Sequence, residues 1–135
     1  MLTWASSLRE ELAALYEGRA EPPEVLGKFR RTAVLVPLDA RGGLWTAAHE
    51  GVWWIHAFSD EAALSRFALN RAAAGEDWEY VTILGARLLD VVIPAVGEPA
   101  GAAVDVGSDR PFLLPPLAGV VPEAAAVNAG TEAAR

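Results

Sequence analysis

The two histidines are the first side chains to consider for chemistry, because an imidazole can bind a metal ion or move a proton. His49 and His56 are predicted to lie on one face of a β-hairpin, about four residues or roughly 13 Å apart along it. Neither belongs to a His-x-x-x-His or His-Glu-x-x-His spacing, and no carboxylate cluster adjoins either of them in sequence. We therefore predict no metal site, and we expect His56 to stack on Trp45, its predicted cross-strand neighbour.

The other reactive residue types also lack the spacing that catalysis needs. The chain has no cysteine, and none of its serines lies in a Gly-x-Ser-x-Gly turn. Gly42-Gly43 leads into a predicted strand rather than a helix, unlike a phosphate-binding loop. Asp60-Glu61 and Glu76-Asp77 lie at predicted helix and loop ends, where solvated charges are usual. We predict no catalytic residue, no cofactor and no enzyme activity, while a carboxylate pair assembled from distant positions stays open.

Three tryptophans form the most unusual concentration of side chains in the chain. Trp45, Trp53 and Trp54 fall within one predicted hairpin, and adjacent residues on a strand point to opposite faces of a sheet. One interpretation is that helices cover both faces. The other is that a tryptophan anchors an interface, since tryptophan is enriched at binding hot spots. On the second interpretation, the protein-binding residues are Trp45, Trp53, Trp54 and His56.

The first elements that must position these residues are helical. Spacings of three and four predict an amphipathic N-terminal helix within residues 1–18, with the apolar positions Trp4, Leu8, Leu12 and Leu15. Gly18 suits the left-handed residue that ends such a helix. Pro22-Pro23 then opens what we predict to be a short second helical turn.

A sheet is predicted to follow. Residues 32–38 are short, β-branched and almost wholly apolar, which is typical of a buried strand. Residues 44–49 and 52–58 form a predicted hairpin around the turn Glu50-Gly51, in a register that pairs Thr46 with Ile55. Both faces of this hairpin are largely apolar. The sheet is therefore predicted to be covered on two sides, by helices, by the tail or by a second molecule.

The next helix is predicted to begin at Asp60 with Ser59 as its cap and to end at Gly75. Its inward stripe comprises Leu64, Phe67, Ala68 and Ala72. Residues 78–84 predict a strand that Gly85 ends. Residues 87–93 favour a short helix that stops before Pro94, although a strand is an alternative for so short an apolar run.

Residues 102–106 and 111–114 predict two last strands, joined by a turn at residues 107–109. Together the elements predict an α+β fold, with an antiparallel or mixed sheet and helices packed against it. We expect a single domain over residues 1–116, and a mobile tail over residues 117–135, where no usable periodicity remains.

Composition restricts the class of protein further. The chain of 135 residues is 53% hydrophobic, carries a net charge of −7 and lacks cysteine, which suits a compact domain in a reducing compartment. We read no signal peptide at the N-terminus and expect a cytoplasmic location. The longest apolar stretch, residues 88–96, is too short and too interrupted to span a bilayer. Neither a membrane nor nucleic acid is an expected partner, because an acidic surface repels phosphates.

The order of elements resembles the SseB N-terminal-domain family, named for enhanced serine sensitivity, and in particular its short, stand-alone actinobacterial members. The matching pieces are Val36-Pro37-Leu38, the segment 51–60 with Phe58-Ser59-Asp60 entering a helix, residues 85–89, and the closing segment 105–116. The resemblance covers residues 32–116, with a family-like core over residues 31–116, and leaves the first helix and the tail outside it. It implies an α+β domain of accessory or interaction type, and it carries over no catalytic residue.

These observations support one leading hypothesis and two alternatives. The leading hypothesis is a non-enzymatic cytosolic protein-interaction module, bound to a protein partner or to copies of itself, with the hairpin aromatics near the contact. The first alternative is a small-molecule sensor or enzyme whose pocket is lined by Trp and His side chains. The second alternative is an immunity or secretion-accessory protein for a larger bacterial toxin system, whose acidity would suit a basic partner.

Overall fold

The structure is a computed structural model that describes residues 7–71 and 78–128. The helices are α1 (Leu8–Tyr16), α2 (Pro22–Arg30), α3 (Glu61–Arg71), α4 (Gly85–Arg87) and α5 (Ile93–Val96), with a π-helical turn at Leu88–Val92 and a 3₁₀ helix at Glu123–Ala125. The strands are β1 (Ala33–Pro37), β2 (Thr46–His49), β3 (Val52–Ala57), β4 (Tyr80–Leu84), β5 (Ala100–Val104) and β6 (Phe112–Leu114). Within the described ranges, no helix is long and apolar enough to cross a membrane.

The first two helices begin where local chemistry satisfies their free N–H groups. Ser7 and Glu10 form a reciprocal capping box at the start of α1, with Ser7 Oγ 3.1 Å from the Glu10 nitrogen. Gly18, at φ 78°, supplies the predicted left-handed residue after this helix. Pro22 opens α2 at a position that needs no N–H donor, and the helix then continues to Arg30. The predicted short helical turn is therefore a full helix.

The helical segment after β4 runs through Pro94 rather than stopping before it. A proline here cannot donate to the carbonyl of Asp90, and its ring would press on that carbonyl in a regular α-helix. The wider π turn at Leu88–Val92 gives the room that Pro94 needs. Arg30 holds the other side of this segment through a two-pronged ion pair with the Asp90 carboxylate, at 3.1 and 2.5 Å. The helix prediction is confirmed, and its predicted end is wrong.

Four strands form a mixed sheet in the order β2-β3-β5-β6, with β3 and β5 parallel and the other pairs antiparallel. The hairpin register is confirmed, since Thr46 lies opposite Ile55. Glu50 and Gly51 both have positive φ angles, as a two-residue hairpin turn requires. β1 pairs antiparallel with β4, and Leu35 joins this pair to the larger sheet by exchanging both backbone hydrogen bonds with Phe58.

The sheet has a buried cluster on each face, as its two apolar sides predict. The main core lies on one face, under α1, α2 and the segment from α4 to α5. It comprises Leu8, Leu12, Val25, Phe29, Val34, Val36, Ile55, Ala57, Leu88, Leu89, Ile93, Ala100, Ala102, Val104, Leu114 and Val121. The opposite face carries a smaller set of buried residues under α3, namely Phe58, Leu64 and Phe67. The α+β fold with helices packed on a mixed sheet is confirmed.

Part of the predicted tail packs on the domain. Val121 is only 5% exposed and belongs to the main core, and the Val127 N–H donates to the Pro116 carbonyl at 2.8 Å. Mobility of this segment stays a prediction. Several predicted positions lie outside the described residues: Trp4 of the first helix, Ala72 and Gly75 of the third, the pair Glu76-Asp77, and residues 129–135.

Gly85 is predicted to be the glycine whose replacement damages this fold most. A Cβ atom added there would lie 1.9 Å from the Phe29 carbonyl oxygen, so β4 and α2 could no longer approach each other. We expect Gly85→Ala to lower the free energy of unfolding by about 3 kcal/mol or more, measured by chemical denaturation. Gly27→Ala is the matched control in α2, because its nearest neighbour is the flexible end of Arg31 at 3.3 Å. That change should raise stability by up to about 1 kcal/mol through helix propensity, and equal effects at both positions would contradict the close approach.

Candidate functional site

The predicted binding residues Trp45 and His56 lie in an aromatic cluster beneath α3, which comprises Trp45, His56, Phe58, Phe67 and Trp78. Phe67, from α3, is its centre, with ring centroids 5.5 Å from Trp45, 5.3 Å from His56 and 5.1 Å from Phe58. Trp45 meets His56 at 5.0 Å and 63°, so the predicted cross-strand stacking is confirmed. These rings stabilise one another, because aromatic pairs at such distances and angles make favourable contacts.

His56 is held in its neutral form within this cluster. Its side chain is 7% exposed, and burial lowers its pKa, with nearby Arg71 acting in the same direction. The Nδ1 atom lies 3.2 Å from the Trp54 carbonyl oxygen, which can only accept, so Nδ1 carries the proton. Arg71 covers the outer side of the cluster, with its guanidinium carbon 5.0 Å from the Trp45 ring centre. The imidazole is thus a packed core group rather than an exposed base.

The two remaining tryptophans of the prediction lie away from this cluster. Trp54 is half-buried and packs over Gly101, where an added Cβ would come within 2.9 Å of its ring. Trp53 points to the other face and is 39% exposed. The structure therefore does not gather Trp45, Trp53, Trp54 and His56 on one surface, and Trp53 is the one that presents its ring to solvent.

Asp105 is the ionisable residue that sequence reasoning missed. It follows β5 directly, has a positive φ of 51° and is 5% exposed. Its Oδ1 accepts the Ser59 N–H at 2.8 Å and its Oδ2 accepts the Ser59 hydroxyl at 2.7 Å. The only signal in the sequence was an acidic residue placed between an apolar strand and the turn Gly107-Ser108, where Ser108 Oγ donates to the Asp105 carbonyl.

Ser59 is consequently not the cap of α3, contrary to the prediction. Asp60 takes that role, because its Oδ1 accepts the Ala63 N–H at 2.8 Å. Its Oδ2 pairs with Arg9 at 3.0 Å and so ties α1 to the start of α3. Ser59 is needed for Asp105 instead, since a buried carboxylate costs free energy unless donors satisfy it.

The buried polar side chains of this region have structural hydrogen-bond partners. His56 and Asp105 are the buried polar side chains of the part of the chain that the structure describes, and each is bound to structural partners. Among residues 7–71 and 78–128, no buried side-chain nitrogen or oxygen lacks a hydrogen-bond partner. No three metal-ligating side chains converge in these same ranges. The hydrogen bonds between Ser59 and Asp105 link the junction of β3 and α3 to the end of β5.

The burial of Asp105 predicts a specific pH dependence. Burial raises its pKa above the ordinary carboxyl value, although the bonds from Ser59 oppose the shift. The folded state therefore binds this proton more tightly than the unfolded chain, and this contribution to stability is lost as pH rises from the ordinary value through the raised one. We expect Asp105→Asn to lack this loss when unfolding free energies are compared from about pH 3 to about pH 8.

The comparison of the wild type with Asp105→Asn isolates the contribution of the Asp105 carboxyl to the pH dependence of stability, because the other carboxylates titrate in both proteins. Asp90, whose pKa the Arg30 guanidinium lowers, gives the opposite slope in each. Ser59→Ala should enlarge the effect, since it removes one donor to the ionised form. Parallel stability profiles for the wild type and Asp105→Asn would show that burial does not disfavour the Asp105 charge.

Comparison with known proteins agrees with the resemblance read from the sequence. The family model of the SseB protein N-terminal domain matches residues 8–118 of this sequence. The match includes the first helix, which the resemblance had left outside. No curated protein and no solved structure matches the chain. A match over most of the chain is sufficient to assign the family. The chain belongs to the SseB N-terminal domain family.

Proposed function

We propose that this domain is a non-enzymatic, cytoplasmic module that binds a protein partner through the end of the hairpin that carries Trp53. The observation that carries the proposal is the exposure of this tryptophan, 39% of whose surface reaches solvent. Tryptophan is costly to leave in water and is among the residues that contribute most to binding free energy at interfaces.

The neighbours of Trp53 leave its ring accessible. Ala48 lies directly opposite it across the hairpin, is itself exposed and is too small to cover an indole. Trp54 contributes a half-buried ring on the other face of the same strand, packed over Gly101. The hairpin therefore holds Trp53 on a rigid strand, and a fixed aromatic anchor loses little conformational entropy on binding.

The internal chemistry supports a binding role over a catalytic one. A catalytic site needs titratable groups that face a substrate, whereas His56 and Asp105 point into structural contacts. Trp45 and His56, two of the side chains that could have lined a ligand pocket, pack instead against Phe67. The net charge of −7 favours a partner with a basic contact surface.

Substitution of the two hairpin tryptophans should have different effects. We expect Trp53→Ala to retain the fold and to lower the unfolding free energy by no more than about 2 kcal/mol, because 39% of the residue already meets solvent. Trp45→Ala should cost about 3 kcal/mol, since it opens the aromatic cluster. Chemical denaturation of both variants measures this contrast, and equal losses would place Trp53 in the core.

Partner binding should depend on Trp53. Affinity capture from a lysate of the source cells, followed by mass spectrometry, should recover a stoichiometric protein with the wild type and at least about ten-fold less with Trp53→Ala. Leu113→Ala is the matched control, because Leu113 is also an exposed apolar residue at 56% but lies on β6. Equal recovery by the wild type and Trp53→Ala would contradict this surface.

A thermal-shift screen against metabolites tests the rival class of function. A ligand that binds the native state raises its apparent stability, whereas a protein-interaction module should show no shift with small molecules. A metabolite that raises the melting temperature by several degrees would favour a sensor or an enzyme.

A further inference from the structure

We propose that β4 is a second docking edge, to which a partner protein adds an extended, basic and apolar segment as a new strand. This inference rests on the proposed function, because it assigns a binding mode to an interaction module. It concerns a surface formed by β4 and α3, whereas the proposal above concerns the hairpin end that carries Trp53.

Among the described residues, nothing pairs with the outer side of the β4 backbone. β1 is its neighbour in the sheet, and no other described strand pairs with it. Leu35 uses both its N–H and its C=O group on Phe58, so these two groups point away from β4. The neighbouring β1 residues Val34 and Val36 therefore point their backbone groups towards Ile83 and Val81 of β4. The bond from the Leu38 N–H to the Glu79 carbonyl fits the same alternation. The N–H and C=O groups of Tyr80 and Thr82 therefore point away from β1, towards the free edge.

The usual protection of a sheet edge is missing from β4. Natural edge strands carry proline, lysine, bulges or very short lengths that prevent further pairing. The sequence of β4 is Tyr-Val-Thr-Ile-Leu, which has high strand propensity and none of these devices. β6, at another edge of the sheet, has only three residues and runs directly into Pro115-Pro116. β4 is thus an edge suited to pairing.

A groove runs beside this edge and would receive side chains of an added strand. It encloses about 460 Å³ and is lined by Glu61, Leu64, Ser65, Ala68, Leu69, Trp78 and Tyr80. Leu69 is the most exposed large apolar residue of the described chain, at 78%. The Tyr80 hydroxyl donates to Glu61 Oε2 at 2.6 Å and fixes one side of the groove. Backbone pairing combined with a pocket for alternate side chains is the established pattern of strand addition.

Charge identifies the chemistry of the occupant. Glu61 lines the groove, Glu79 directly precedes β4, and the whole chain carries a net charge of −7. A segment with an apolar side chain for the groove and lysine or arginine beside it would complement both features. A second copy of this chain carries the same net charge of −7, so the long-range electrostatic interaction between two copies is repulsive. The occupant is therefore a basic segment of a different protein.

Amide hydrogen exchange on the free full-length protein is the first test, and it needs no partner. The N–H groups of Tyr80 and Thr82 should exchange quickly, while those of Val81 and Ile83, which face β1, should be protected. Protection of Tyr80 and Thr82 that grows with protein concentration would mean that a second copy covers the edge. Protection at every concentration would mean that the chain covers its own edge. Either result overturns the proposal.

Binding is tested with peptides selected from a random dodecapeptide library on the full-length protein. We expect enriched peptides to alternate apolar and other residues, to carry lysine or arginine, and to slow the exchange of the Tyr80 and Thr82 amides. Thr82→Pro should weaken the binding of these peptides at least about ten-fold, because it removes an outward N–H without breaking a bond to β1. Thr82→Val is the matched control that keeps the N–H and should bind as the wild type does.

Leu69→Arg provides a second variant should Thr82→Pro lower the melting temperature. Its side chain is almost fully in solvent, so the fold should be unaffected, while a basic apolar peptide should bind several-fold more weakly. Peptides that bind Thr82→Pro and Leu69→Arg as tightly as the wild type, or a selection that enriches no peptide protecting these amides, would overturn the proposal. Loss of partner capture by Trp53→Ala is a separate result, so failure of the hairpin surface and failure of the β4 edge can be distinguished.

Discussion

Burial of the second half of β3, residues 55–57, on both of its faces is the constraint on which the rest of the structure depends. Ile55 and Ala57 face the main core, while His56 and Phe58 face the aromatic cluster. A strand buried on both sides needs a cover on each face and a neighbour at each edge. The helical layer of α1, α2 and the segment from α4 to α5 covers one face, and α3 covers the other. The parallel pairing of β5 with β3 is possible because α3, β4 and the segment from α4 to α5 lie between them in sequence and supply the long crossover that parallel strands need.

The same constraint explains where the polar groups lie. Residues 58–60 connect the end of β3 to the start of α3, and the backbone donors of this partly buried junction need acceptors. Asp105 supplies the acceptors for Ser59, and Asp60 supplies the acceptor for α3. A buried carboxylate is tolerated because it is bonded through both oxygens, and its raised pKa records the remaining cost of burial. Residues that would be reactive in an open pocket are thus structural groups here.

Some apolar side chains and backbone groups at the surface of the described chain lack a partner. Trp53 and Leu69 are apolar groups in water, and the outer backbone of β4 lacks a pairing partner. Burying such groups against another molecule recovers apolar area and hydrogen bonds together. In the proposed binding role these surface groups are the points of contact, whereas the buried polar side chains of the described residues already have partners. Membership of the SseB family is consistent with this role and does not by itself define it.

The sequence by itself determined the elements whose signals are local. The register of the hairpin was predictable because a two-residue turn at Glu50-Gly51 fixes which residues of the two strands lie opposite each other. Such a turn requires positive φ angles, which glycine adopts easily. The contact of His56 with Trp45 followed from that register alone. The α+β class and the family followed from the order of elements.

Only the tertiary structure decided the features that depend on distant partners. Ser59 has the side chain of a helix cap, and only the arrival of Asp105 from β5 shows that it serves another residue. The helix through Pro94 could not be predicted, because the π turn that accommodates the ring is held by packing and by Arg30. The exposure of Trp53 and the partial burial of Trp45 were equally undecidable, since both lie on apolar hairpin faces. Which face a helix covers is set by long-range packing, and periodicity carries no information about it.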